Sequence, residues 1–144
     1  DINTAAVEAA VKAFGARAVS PQDIYAQDVE IYAPCALGAT LNPDTIEQLS
    51  ALVIAGAANN QLATRDMGTA LQERGVLYCP DYVVNAGGII NIAGEIEGAY
   101  SKDWVEEKLK GVENTLENII DQAKASGRST HVIADEMARA RIGR

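Results

Sequence analysis

Histidine is almost missing from this chain: His131 is the only one among 144 residues. Cysteine is nearly as scarce. Cys35 and Cys79 are the only two and lie far apart, so the spacing suits neither a metal site nor a disulfide framework. Two such thiols read as reduced, mostly buried side chains of a cytoplasmic protein. His131 lies among helix-forming residues, where a lone histidine is a surface or packing residue, and no role is assigned to it. Basic residues are outnumbered, 12 Lys and Arg against 20 Asp and Glu, for a net charge of −8. Phosphate would be repelled, which argues against nucleic acid and against an anionic membrane surface as partners. No apolar run approaches the roughly 20 residues of a membrane span. No basic start followed by an apolar stretch marks a secretory signal. The first residue is Asp1 rather than Met, so a processed, proteolysed or engineered fragment is expected. Gly-x-Gly-x-x-Gly is also missing: neither Ala55-Gly56-Ala57-Ala58 nor Asn85-Ala86-Gly87-Gly88 has its spacing, so the usual phosphate cradle at a helix start cannot be read here.

What is present is enough for one domain with a buried core, 48% hydrophobic and 22% charged. Asn3 can cap a helix ended by Gly15, with Val7, Ala10, Val11 and Phe14 forming one buried face. ARAVS (16–20) reads as a short strand stopped by Pro21. DVEIYAP (28–34) is a buried strand ended by Pro34. Asn42-Pro43 opens a short helix through Leu49. The almost purely apolar LVIAGAA (52–58) suits a parallel strand covered on both faces. A helix over 64–74 ends at Gly75, and GVLYCP (75–80) is another short strand. Beyond Pro80 a partly helical segment is broken by Gly87 and Gly88. Long amphipathic spacing then predicts a helix over 104–124 with Val105, Leu109, Val112, Leu116 and Ile119 on one side, and a last helix covers about 130–142.

This alternation predicts the α/β class, a parallel sheet with carboxy-terminal helices. Ligands of such sheets sit beyond the carboxyl ends of the strands. Three loops qualify: 35–38, 56–60 and 85–88. Each has a plainer reading. Cys35-Ala36-Leu37-Gly38 is small enough for a flat ring to approach its backbone, yet equally a tight turn. Asn59-Asn60 offers amide donors and acceptors, yet asparagine is a common turn residue. Gly87 and Gly88 cost about 1 kcal/mol each against alanine inside a helix, which points to close approach of a ligand or of another backbone.

The ordered segments YAPCALGATLNPDTIEQL (32–49), VIAGAANNQL (53–62) and GVLYCPDYVVNAGGIINIAGE (75–95) resemble the cofactor domain of the leucine, phenylalanine and valine dehydrogenases. The resemblance runs from Asp1 to the end. Glutamate dehydrogenases share only the Ala-Asn and Asn-Ala-Gly-Gly elements. The resemblance implies a partial Rossmann-type sheet over 1–144, a truncated NAD-binding domain that lacks the Gly-rich phosphate loop and the substrate domain. It implies NAD as cofactor, an aliphatic amino acid as substrate, and a cytoplasmic homo-oligomer for the full-length protein. No catalytic residue is expected in this chain, because the family's lysine and aspartate stand on the missing domain. Asp1 and Ile2 would end the second strand of that domain, with the Asp1 carboxylate on the adenosine ribose hydroxyls. Cys35 and Ala36 would line the nicotinamide ribose and ring. Asn59 would face both substrate and cofactor, and Asn85 would hold the carboxamide side. Ile89 and Ile92 would wall the substrate side chain. Read from periodicity alone, these two isoleucines are as well placed for an ordinary core. Where the glutamate enzymes carry a serine for the substrate carboxylate, this chain has Ile92. A glutamate dehydrogenase and a non-catalytic binding module that keeps the fold are the competing readings.

Overall fold

A computed structural model describes residues 1–98 and 100–143. In chain order the elements are α1 Thr4–Phe14, β1 Ile31–Tyr32, α2 Pro43–Gln48, β2 Val53–Ile54, α3 Met67–Glu73, β3 Leu77–Tyr78, α4 Asp81–Val84, α5 Gly87–Ile96, α6 Lys102–Ser126 and α7 Thr130–Arg141. The three strands form one parallel sheet in the order β1-β2-β3. Ile31 faces Val53, which faces Leu77, and Tyr32, Ile54 and Tyr78 form the second row. Each strand sits inside the apolar run that predicts it. Each is short, and Pro34 and Pro80, which cannot donate to a ladder, follow β1 and β3.

Several expectations are corrected. Residues 16–20 are not a strand, and no backbone hydrogen bond pairs residues 16–19 with another segment among the described residues. β propensity in so short a run forms no strand without a neighbour to pair with. α1 has the expected caps, with Asn3 accepting from the Ala6 N–H and Gly15 closing it at φ 65°, but it buries no residue. Phe14 is 86% exposed, because no helix or strand packs broadly over that face. The run 52–58 is covered only in part: Ile54 is fully buried while Leu52 is exposed. Cys79 is buried as expected, and burial pushes its thiol pKa up. Cys35 is exposed, because it lies in the loop beyond β1. The break after β3 falls at Asn85-Ala86, and Gly87 and Gly88 are the first residues of α5 rather than its interruption.

The sheet core joins Leu41, Ile46, Leu49, Ile54, Met67, Leu71, Val76 and Tyr78. A second cluster, Ile119, Ala123, Ile133 and Ala134, holds α6 to α7. Bonds that tie the layers together include the Thr130 hydroxyl donating to the Tyr78 carbonyl, the Gln72 side-chain amide donating to the Gly127 carbonyl at 2.9 Å, and the Arg65–Asp135 ion pair. α5 meets α6 where Trp104 lies over Gly94, so closely that a Cβ there would stand 2.9 Å from the ring. Among the described residues no helix is long and apolar enough to cross a membrane.

Two outcomes are expected. A Cβ at Gly56 would fall 2.2 Å from the Pro34 carbonyl oxygen and 2.5 Å from its nitrogen. Backbone cannot yield as a side chain does, so Gly56→Ala should destabilise by about 1–3 kcal/mol or more, read as a lower Tm. His131 packs on Gly68 with its Nε2 buried and unpartnered, and burial, then the Arg65 charge, hold its pKa below 6.5. The unfolded chain therefore binds a proton that the folded chain gives up. This contribution to stability is complete above pH 6.5 and declines as pH falls below it. Urea midpoints taken from pH 7 down to about pH 5 should fall, and His131→Gln should flatten part of that slope.

Candidate functional site

β1 and β2 run at their carboxyl ends into the first two loops, the third follows α4 beyond β3, and the loops meet. The Pro34 carbonyl accepts from the Ala58 N–H at 2.9 Å, and the Cys35 Sγ accepts from the Ala57 N–H at 3.5 Å. Those bonds set the loop after β1 against the loop after β2. The Asn60 carbonyl accepts from the Ala39 N–H at 2.7 Å, and the Leu41 N–H donates to the Gln61 carbonyl at 3.0 Å. Ala39 and Asn60 both stand in the left-handed region, at φ 55° and 53°. Asparagine tolerates this conformation; alanine does so at a cost. Gly38 has no room for a side chain, since a Cβ would lie 2.8 Å from the Asn59 carbonyl oxygen.

The third loop joins through its amide. The Asn85 side-chain NH₂ donates to the Asn59 side-chain oxygen at 2.7 Å and to the Ala57 carbonyl at 3.4 Å. The clasp fixes polarity. The Asn85 oxygen is left as an acceptor and the Asn59 NH₂ as a donor, with no other partner among the described residues.

Three contributors were not singled out from sequence. Asp81 accepts from the Asn60 N–H at 2.6 Å with Oδ2 and from the Tyr78 hydroxyl at 2.9 Å with Oδ1. The Tyr78 side chain is fully buried, and burial followed by the Asp81 charge pushes its pKa up. Gln61, also fully buried, donates to the Gly56 and Ala58 carbonyls at 2.7 and 2.9 Å. The Gln61 partners and the Asn60 partner of Asp81 lie in irregular loops, so no periodicity flags them.

The structure thus brings Cys35, Asn59 and Asn85 into one bonded set, with Ala36 exposed on the first loop. Ile89 and Ile92 are 65% and 50% exposed, which removes the ordinary-core reading of both. They continue along α5 with the more exposed Ile96 as an apolar stripe. Asp1 and Ile2 stand apart. The Asp1 carboxylate accepts from the Asn3 N–H at 2.7 Å before α1, and no hydrogen bond joins either residue to the three loops among the described residues. A concavity of about 570 Å³ lies between α4, α6 and α7, lined by Val83, Val112, Thr115 and Met137 among others, and reaches the third loop at Ala86. The loops offer donors, an acceptor and open backbone, with no lysine or histidine among them. Such a site can bind and orient an amide-bearing ligand.

The family model described as glutamate/leucine/phenylalanine/valine dehydrogenase matches residues 2–143. Leucine dehydrogenase of Bacillus subtilis is 51% identical over 144 residues, all of this chain and 39% of that protein. The crystal structure of L-tryptophan dehydrogenase from Nostoc punctiforme superposes with a TM-score of 0.94 at 42% identity, covering 99% of this chain and 43% of that one. A glutamate dehydrogenase structure from Thermus thermophilus, at 21% identity and a TM-score of 0.67, shares the fold. The chain therefore spans about two-fifths of the length of the relatives it matches.

Among the described residues, and apart from its chain neighbours and the nearby backbone of α5, nothing lies within 4 Å of a Cβ built at Gly88, so no packing there requires a glycine at that helical position. Gly88→Ala should stabilise the fold by up to about 1 kcal/mol, opposite in sign to Gly56→Ala in the same thermal unfolding assay.

Proposed function

The chain belongs to the glutamate/leucine/phenylalanine/valine dehydrogenase family, and from that membership we propose that its full-length protein is an NAD-dependent oxidoreductase. It reversibly deaminates an aliphatic L-amino acid to the 2-oxo acid. Residues 1–144 are the cofactor-domain part, and the full-length protein is a homo-oligomer. When bound, the nicotinamide accepts a hydride from the α-carbon of the amino acid.

The observation that carries this reading is the Asn59–Asn85 clasp. It leaves one amide donor and one amide acceptor, the complement of a carboxamide, which carries one acceptor and one donor group. Open space at Gly88 beside it leaves room for a flat ring. Cys35 and Ala36 line the ring and its ribose. Asn59 holds the cofactor and the substrate at the reaction centre, and Asn85 orients the carboxamide. Asp1, with Ile2 beside it, takes the adenosine ribose hydroxyls, and its charge repels a 2′-phosphate. Ile89 and Ile92, one helical turn apart, receive the substrate side chain. Against Ile92 a glutamate carboxylate would be desolvated with no donor from this wall, at a cost of several kcal/mol. A branched aliphatic side chain gains about 0.8 kcal/mol per buried CH₂. The likeness to tryptophan dehydrogenase supports a second substrate reading, a flat aromatic side chain.

The test is NAD reduction by the full-length protein with valine, leucine, phenylalanine, tryptophan and glutamate. Valine or leucine should lead, and Ile92→Ala should shift preference toward larger side chains. Preference for tryptophan selects the second substrate reading. Preference for glutamate, or an unchanged profile in the variant, overturns the pocket. Absence of turnover with any amino acid overturns the function. Gly88→Ala should weaken NAD binding while leaving the fold intact. The 144-residue chain alone should show no turnover and weak or no NAD binding by calorimetry. Micromolar affinity there would reveal a phosphate site outside the loops described above.

A further inference from the structure

We propose that Asp81 is a positioning residue of this site: its carboxylate holds the Asn59–Asn60 peptide in a single orientation and so aims the Asn59 amide. The inference rests on the functional reading above, which puts Asn59 at the reaction centre. It goes beyond that reading by assigning a role to a side chain outside the ligand-lining set.

Three observations carry it. First, Asp81 is the only side chain that bonds the Asn60 N–H, at 2.6 Å, among the described residues. That is slightly shorter than the roughly 2.7–2.9 Å of a charge-assisted N–H bond. Second, Asn60 is left-handed at φ 53°. In that conformation the N–H and the preceding carbonyl have a definite outward sense, and a flipped peptide would relieve the backbone. The flip would also turn the Asn59 carbonyl, now against Gly38, and so loosen the loop that holds the Asn59 side chain on Asn85. Third, Asp81 is itself aimed. The buried Tyr78 hydroxyl donates to its other oxygen at 2.9 Å, and the Asp81 N–H reaches the same hydroxyl at 3.3 Å. Tyr78 is in turn fixed, because its ring is in the sheet core and its carbonyl accepts from Thr130. The order runs from the core through Tyr78 and Asp81 to Asn60, and on through the Asn60 carbonyl to Ala39. One carboxylate thus connects the ends of all three strands.

Asp81 faces the backbone of the loop, so its removal should act through Asn59 rather than on the ligand directly. A misplacement of about 1 Å at a reacting group costs on the order of a hundredfold in rate. In the full-length protein Asp81→Ala should therefore lower kcat/KM for the preferred amino acid by about a hundredfold, mostly in kcat. Asp81→Asn keeps one oxygen for the Asn60 N–H and should recover much of that loss. The decisive measurement is the cycle with Asn59→Ala. If Asp81 works through Asn59, the double variant should be no slower than Asn59→Ala alone. A second readout needs no turnover: hydrogen–deuterium exchange at the Asn60 amide should speed up in Asp81→Ala and much less in Asp81→Asn.

Multiplicative losses in the cycle, a kcat/KM for Asp81→Ala within about twofold of wild type (under 0.5 kcal/mol by the tenfold-per-1.4 relation), or unchanged exchange at Asn60 would overturn the proposal. Should Asp81→Ala fail to fold, Asp81→Asn and Tyr78→Phe are read in the same cycle under the same criteria. An inactive wild type overturns the functional reading, and this proposal with it. An active wild type with additive variants overturns this proposal alone.

Discussion

Between Pro34 and Gly56 there is no room for one carbon atom, and the rest of the site follows from that approach. β1 and β2 end flush because their backbones touch there. The loop after β2 must then turn back beneath the loop after β1, where Ala57 and Ala58 donate to Cys35 and Pro34. Gln61 stabilises that turn from inside by satisfying two carbonyls that the fold has taken out of water. A turn held so tightly has to place Asn59 and Asn60 on its outer rim, facing Asn85. The site is therefore organised by backbone spacing, with side chains filling the positions that the spacing leaves.

The division of labour between the two packing clusters fits this. The sheet cluster fixes the strand ends, while α6 and α7 form a separate small core. The two communicate through few polar bonds, of which Thr130 to Tyr78 lies closest to the site. α5 is held mainly against α6 by the Trp104–Gly94 contact. The apolar wall on α5 and the amide clasp on the sheet side are thus supported by different parts of the core. Residues at either support can shift one half of the site without the other.

Much of this was legible in the sequence, and the exceptions share one cause. The three strands follow from apolar runs bounded by proline and glycine. The helices follow from caps and periodicity, because those signals are local. Asn59 was readable as a polar residue at a strand end and Asn85 as a break in a helical segment, and their likeness to a family gave them roles. What escaped were features that need a partner distant in sequence. Asp81 was not singled out, because nothing near it in the sequence announces a bond to Asn60. Gln61 looked like a loop residue, though it is fully buried. ARAVS and the apolar face of α1 failed in the opposite sense: their patterns expect neighbours, and among the described residues no element packs broadly on them.

α1 shows what such a missing neighbour means for motion. Its asparagine cap, its left-handed Gly15 and Lys12 in its last turn are complete, yet it buries no residue. An isolated helix of its length is marginal in water, because nucleation is costly and tertiary packing is what normally offsets that cost. Its opening is then uncoupled from global unfolding, in the sense that a cooperative unit ends where buried contacts end. The chain taken by itself thus has two thermodynamic zones: a cooperative body from about Tyr25 onward, and an amino-terminal arm whose order is set by caps and propensity alone. Whatever surface comes to lie on Val11 and Phe14 would change the second zone into part of the first. It would do so without altering a single contact at the strand ends.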